Sequence, residues 1–348
     1  MTAHPLTEPV LTGRPPTLTV VICSYTMARW PDLVAAVRSV QRQHHPAEEL
    51  LLVVDHCPEL AVRAAGVLAG VRVVPNHERP GLSGARNTGT ALAHGEVVAF
   101  LDDDATADPD WTERLLAGYR DERVLGVGGL VRPHWESGRP SWFPPEFDWV
   151  VGCSYLGMPE QGGCVRNFIG ANMSFRRAEL LAAGGFRPDL GRVGSRPLGC
   201  EETELCIRLT ARHPGAVLRY EPTAGVSHRV PEGRTNWSYF RARCFAEGLS
   251  KAAVARHTGR RPALASERRY LYAAVPRGMA RALSREGGGP RELAALALGV
   301  AVTVTGYTTG RLRQALPSAV PPPSAAPPAA PAGRGGGAGG PGGPGGAP

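Results

Sequence analysis

Val97-Val98-Ala99-Phe100-Leu101-Asp102-Asp103-Asp104 is an uncharged apolar run that stops on three consecutive carboxylates. The run reads as a strand, and the same kind of text recurs upstream. Leu18–Cys23, Leu50–Val54 and Val71–Val74 are short β-branched runs, separated by helix-like segments near Asp32–Gln43, Leu60–Leu68 and Ser83–Ala93. Strands alternating with helices predict right-handed βαβ units and a parallel sheet. Ligands of such open sheets sit beyond the carboxyl ends of the strands, so chemistry is expected just after each run.

Downstream the pattern loosens. A helix is expected near Trp111–Tyr119, a strand at Leu125–Val131, and then a long Pro-, Gly- and Trp-rich loop from Arg132 to Val165, of the kind that carries function or forms a lid. Asn172–Phe175, Ala216–Tyr220 and Gly225–His228 read as strands, and Glu201–Arg212 and Trp237–His257 as helices. In Ser266–Arg285, Leu271, Val275, Met279 and Leu283 fall at steps of four, while Arg268, Arg269, Arg277, Arg281 and Arg285 supply charge. This predicts a basic amphipathic helix, kinked at Pro276, that lies on a membrane surface or packs on the domain. Leu293–Gly310 carries no charge but contains Gly299 and Gly306, and is marginal as a spanning helix. The tail from Pro317 is low-complexity and is expected to be disordered.

The 348 residues suffice for a sizeable core, and a hydrophobic content of 43% with 20% charged residues excludes disorder along the whole chain. The net charge is +8, carried almost wholly by arginine, since Lys251 is the sole lysine. A basic surface favours anionic partners such as nucleotides or phospholipid head groups. No basic stripe with interleaved aromatics appears, which argues against nucleic acid. The seven cysteines contain no CxxC pair, which points to reduced thiols rather than zinc or a disulfide framework. Met1–Pro16 lacks the features of a secretory signal, so a cytoplasmic protein is expected, with a peripheral position on the inner face of the plasma membrane open to it.

Adjacent carboxylates at a strand end repel. In an extended chain Asp102 and Asp104 share one side and Asp103 the other, which suits a divalent cation, Mg²⁺ or Mn²⁺, bridging substrate phosphates. The plain alternative is a solvated acidic turn. Gly81-Leu82-Ser83-Gly84-Ala85-Arg86-Asn87-Thr88-Gly89 opens a helix just before this strand, where small residues admit a ligand and Arg86 can meet a phosphate or a base edge. Asp55 ends the second strand and Ser24-Tyr25 the first, so these positions converge on one crevice. In Cys200-Glu201-Glu202-Thr203-Glu204-Leu205-Cys206, Glu202 shares a helix face with Leu205, Cys206 and Leu209 and should point inward as a candidate general base. Glu204 and Arg208 read as a surface ion pair. His228, at the end of an apolar strand, is a candidate to complete a metal site with Asp104.

In order and spacing these motifs resemble family 2 glycosyltransferases of the Rossmann-like GT-A fold, over roughly Leu18 to His257. The resemblance implies an α/β fold with a mostly parallel central sheet flanked by helices and a C-terminal helical appendix. It implies a nucleotide-sugar site drawn from Ser24, Tyr25, Asp55, Ser83, Arg86, Asn87, Asp102 and Asp103, with Asp104 and His228 on the metal. Glu202 stands where the family has the aspartate of Gly-Glu-Asp, one methylene longer, as base for an inverting displacement. Asn172, Trp142, Trp149 and Glu201 are expected on the acceptor side. The donor would be a nucleoside-diphosphate sugar, UDP-linked by similarity to glucosyl-dolichyl-phosphate glucuronosyltransferases, and the acceptor a glycan or polyprenyl-phosphate-linked sugar. The implied organisation is a flexible lead over 1–17, a transferase unit over 18–260 divided at 131/132 into donor and acceptor halves, C-terminal helices over 261–313, and the tail over 314–348. A nucleotidyltransferase would want a Gly-rich loop after the first strand, where this chain has Ser24-Tyr25-Thr26-Met27-Ala28-Arg29; a degenerate sugar-nucleotide-binding scaffold is the remaining alternative.

Overall fold

The computed structural model describes residues 14–191, 199–284 and 288–315. Most of the lead over 1–17, Arg285, and the Pro/Gly-rich tail from 316 lie outside the described residues. Strands β1 (Leu18–Ser24), β2 (Glu49–Val54), β3 (Arg72–Pro75) and β4 (Val97–Asp102) are linked by helices α1 (Trp30–Gln41), α2 (Pro58–Val67) and α3 (Leu82–Leu92). They pair in parallel in the order β3-β2-β1-β4. The chain therefore steps outward from β1 to β3 and then crosses back to β4 on the other side of β1. That reversal leaves a crevice between the carboxyl ends of β1 and β4, where Cys23 lies opposite Asp102.

Beyond β4 the sheet becomes mixed, so the expected parallel pairing describes only part of it. β5 (Ala105–Ala107), α4 (Trp111–Ala117), β6 (Val124–Trp135), β7 (Gly163–Cys164), β8 (Asn172–Arg176), α5 (Arg177–Ala182), α6 (Glu201–Arg212) and β9 (Val217–Val230) follow in the chain. β8 runs antiparallel to both β4 and β6, β6 and β9 are parallel, and β5 and β7 add antiparallel to β9. The two strands expected at Ala216–Tyr220 and Gly225–His228 are one long strand, β9, with an irregular register against β6. At that irregularity Gly129 lies so close to the Ala224 carbonyl that any Cβ would overlap it.

Period-two alternation divides the strand side chains between two cores. Val20, Ile22, Leu52, Ala99 and Leu101 face one, and Val21, Val53, Val98 and Phe100 face the other. The long loop contains a 3₁₀ segment, Pro145–Val151.

The C-terminal part comprises α7 (Trp237–Thr258), α8 (Arg260–Ala263), α9 (Ala265–Arg269), a π turn (Tyr270–Ala274), α10 (Val275–Ala282) and α11 (Gly289–Ala315). The helix expected over Ser266–Arg285 is helical through the described residues from Ala265 to Ala282, with the π turn inserted just ahead of Pro276, which stands in the first turn of α10. Arg281 does not face outward: it bonds the buried carboxylates Glu146 and Glu292. α11 is long and apolar enough to cross a membrane by length and composition, with a mean hydropathy of 1.4 over its most apolar 18 residues. In the fold it lies along α7, with Gly299 against Phe147, Gly306 against the Phe245 backbone and Gly310 against Ala252. Gly248 of α7 meets the backbone of Thr303 and Tyr307 in turn, so the two helices touch main chain to main chain.

Candidate active site

The crevice beyond β1 and β4 opens into a cleft of about 1150 Å³ walled by the first turn of α6, the loop before β8, α7, and the α9–α10 segment. At its base the three aspartates diverge, but by a turn and not by strand alternation: β4 ends at Asp102, and Asp103 and Asp104 form the turn into β5. Asp103 turns away, accepting hydrogen bonds from the Ser24 hydroxyl (2.6 Å) and Arg29 (2.8 Å). Burial and the neighbouring Asp104 charge raise its pKa. Asp102 and Asp104 line the cleft. Asp104 lies 3.1 Å from His228 Nε2, 3.2 Å from Arg29 and 3.6 Å from Arg234. Burial alone would raise the Asp104 pKa, but His228 and the two guanidinium groups outweigh it and hold the carboxyl below its usual range. In return Asp104 overcomes the desolvation of His228 and lifts the imidazole pKa to about 10.

Ligand atoms of Asp102, Asp104 and His228 all lie within 4.8 Å of one another. Two carboxylate oxygens and an imidazole nitrogen at that spacing fit a hard divalent cation, with His228 giving up its proton as the price of ligation. β5 pairs Ala105 with His228, so the strand turn that follows Asp104 carries the two side chains together.

Arg86 is only 2% exposed and joins the two acidic clusters. It donates to Glu201 (2.7 Å), Asp102 (3.3 Å) and the Gly170 carbonyl (3.0 Å). Its guanidinium, expected on a phosphate or base edge, lines the cleft and is held by these carboxylates, and Glu201 is correspondingly committed to Arg86. Cys200, at the N-terminus of α6, takes a left-handed conformation (φ 69°) and donates its thiol to Glu247 at 3.2 Å. Glu202 follows on the cleft wall. Burial and the adjacent Glu201 push its pKa up to about 8, against the opposing charge of Lys251.

Several expected ligands are already hydrogen-bonded within the fold. Asp55 accepts from Asn76 (2.7 Å), the Gly81 amide (2.8 Å) and His56 (2.8 Å), which fixes the entry to α3; it does not line the cleft. Ser83 donates to the Leu190 carbonyl, and Asn87 exchanges hydrogen bonds with the Phe186 backbone. Asn172 is fully buried: it accepts from the Trp111 indole and donates to the Leu130 and Ala224 carbonyls, leaving nothing for an acceptor. Trp142 stacks on Trp237 at 4.0 Å as part of an aromatic cluster away from the cleft. Trp149 does line the cleft, with its indole N–H on Tyr270. Tyr25 is 45% exposed beside Arg29, open to a planar group. Glu204, expected in a surface pair, is buried between Arg187 and Arg208.

Sequence reasoning missed Arg29, Arg234 and a second charge network in which Lys251 bridges Glu247 (3.3 Å) and Glu267 (2.9 Å) while Arg166 grips Glu267. Burial opposes the Lys251 charge, yet its carboxylate partners keep its pKa well above normal. The signal available was the sole lysine standing four residues after a glutamate on one helix.

Residues 19–181 match the profile of glycosyl transferase family 2. A glucosyl-dolichyl phosphate glucuronosyltransferase of Haloferax volcanii is 38% identical over 241 residues, covering 68% of this chain and 77% of the relative. The chain belongs to glycosyl transferase family 2. The succinoglycan biosynthesis protein ExoM of Rhizobium meliloti is 29% identical over 239 residues, 65% of this chain and 71% of ExoM. In fold, this glycosyltransferase is similar to a GT-A mannosyltransferase from Pyrobaculum calidifontis, solved with GDP-Man and Mn²⁺, at a TM-score of 0.55 and 18% identity over 86% of this chain and 90% of that one.

Proposed function

We propose that this glycosyltransferase moves a sugar, with inversion, from a nucleoside-diphosphate donor, UDP-linked as the sequence resemblance implies, to a hydroxyl of a glycan or polyprenyl-phosphate-linked sugar, the latter in keeping with the dolichyl phosphate in the name of the Haloferax volcanii relative. The observation that carries this reading is that the Asp102–Asp104–His228 group and the raised Glu202 carboxyl open on the same cleft. Asp102, Asp104 and His228 would hold Mg²⁺ or Mn²⁺, whose charge offsets that of the departing diphosphate. Glu202 takes the proton of the acceptor hydroxyl as that oxygen forms its bond to the anomeric carbon. The bond from that carbon to the diphosphate oxygen breaks on the opposite side, so one base suffices and no covalent intermediate arises. Arg86 holds Asp102 and Glu201 in place during this displacement, and Tyr25 offers a face to the base.

A hydrolysis and thermal-shift screen over UDP-, GDP- and dTDP-sugars, with and without Mn²⁺, tests the reading. Stabilisation and slow hydrolysis are expected for one nucleotide class and only with the cation. Equal response with and without cation would overturn the metal assignment, and response to no nucleotide sugar would overturn the function.

A further inference from the structure

Charge on the cleft wall is paired almost everywhere. Arg29 and Arg234 meet Asp104, Arg86 meets Glu201, Arg166 meets Glu267, and Arg281 meets Glu146 and Glu292. Two cations differ. Arg269, the last residue of α9, and Arg277, in α10, line the same cleft, are exposed, and have no ion pair or side-chain hydrogen bond among the described residues. The π turn sets these two residues on one wall of the cleft.

Between and beside them the wall is apolar. Leu156, Met158 and Pro159 come from the long loop, and Ala273 and Ala274 from the π turn; Gly157 packs so tightly on Ala274 that a Cβ there would lie 2.8 Å from its methyl. Just outside, Tyr272 is 84% exposed and Leu271 39%. Two unpaired guanidinium groups attract an anion, and the apolar strip attracts a hydrocarbon. One ligand that has both, joined end to end, is a phosphate ester of a long apolar alcohol.

We propose that this mouth is the phosphate subsite of the acceptor: Arg269 and Arg277 hold the phosphodiester of a lipid-linked sugar, and Leu156 and Met158 receive the first carbons of its chain. The sugar then extends inward toward Glu202. The proposal rests on the reading of Glu202 as base, and it moves the acceptor anion from the membrane surface to the inside of the cleft. Arg281, counted by its sequence with the other arginines of this segment, has no part in it because two buried carboxylates already neutralise it.

The test is direct binding by the full chain, without turnover, of geranylgeranyl phosphate and geranylgeraniol in dodecyl maltoside micelles. The wild type should bind the phosphate about tenfold or more tightly than the alcohol, as two charge-assisted contacts imply. The Arg269→Gln/Arg277→Gln variant should bind the two alike, and the Arg269→Lys/Arg277→Lys variant should keep most of the preference. A wild type without preference, or a Gln variant that retains it, overturns the subsite. Inorganic phosphate competing as well as geranylgeranyl phosphate would remove the apolar half of the proposal. UDP–Mn²⁺ affinity falling in step with the preference would assign the arginines to the donor instead. If the Gln variant loses phosphatidylglycerol vesicles but keeps its preference for the prenyl phosphate, the arginines serve the membrane surface and the proposal fails. A protein with the preference but no transfer of any sugar would sink the reading of Glu202 and leave the subsite standing.

Discussion

Asp102–Asp104 and Glu201–Glu202 are both short acidic runs on the same cleft, yet Asp104 in the first and Glu202 in the second are driven in opposite directions. At the strand end, His228, Arg29 and Arg234 converge on Asp104 and keep it ionised despite burial. At the start of α6, Glu201 takes the available guanidinium of Arg86, and at Glu202 burial and that neighbouring charge outweigh Lys251 and a backbone hydrogen bond. Two carboxylates of similar intrinsic acidity thereby separate into a permanent anion suited to a cation and a poised group suited to accepting a proton.

The largest effect should come from removing the anion. Asp104→Ala is expected to lower cation-stimulated turnover by about a thousandfold or more, as loss of a ligand that organises leaving-group charge implies; steady-state kinetics across a Mn²⁺ titration would check it, and near-normal turnover would abolish the contrast. Glu202→Gln keeps the shape and removes the base, so transfer should fall by about 10²- to 10⁴-fold while donor affinity holds. A parallel loss of donor affinity would make Glu202 structural.

The contrast also predicts a pH signature. Transfer should rise as pH passes through about 8 and Glu202 ionises, a limb that Glu202→Gln removes. Stability runs the other way. A carboxyl whose folded pKa exceeds its unfolded value contributes stability that is full below the unfolded pKa and is lost as pH rises through about 8. Urea unfolding of wild type and Glu202→Gln between pH 4 and 9 should therefore converge near pH 4 and separate steadily up to about pH 8, with Gln the more stable. A smaller effect separates site from scaffold: Asn172→Ala should cost about 2–3 kcal/mol in unfolding, by orphaning the Trp111 indole and two carbonyls, while kcat/KM of the folded fraction changes by less than about twofold.

Local periodicity made much of this legible. The branched runs marked β1 to β4, and helical spacing placed Glu202 on the cleft wall; Asp103 does part from its neighbours, though through a turn that begins where the strand ends. What stayed hidden depends on partners distant in sequence. Arg281 reaches Glu146, 135 residues away, so a pattern that looked like a charged outer face is partly a buried anchor. Ser83, Asn87 and Asn172 sit beside the site in sequence and in space, but each is consumed by backbone groups that would otherwise be buried unpaired. Nothing in the local text distinguishes that duty from ligand binding. Glu204 was misread for the same reason, since its i,i+4 arginine is visible and the layer that buries it is not.

The glycine contacts between α7 and α11 have a mechanical consequence. Where Gly248 meets the backbone of Thr303 and Tyr307, no side chain lies between the two helices. Lys251 stands three residues further along α7, on the cleft wall. α11 therefore braces the length of α7 that carries this ammonium group to the cleft, which makes the C-terminal helix part of the scaffold of the site.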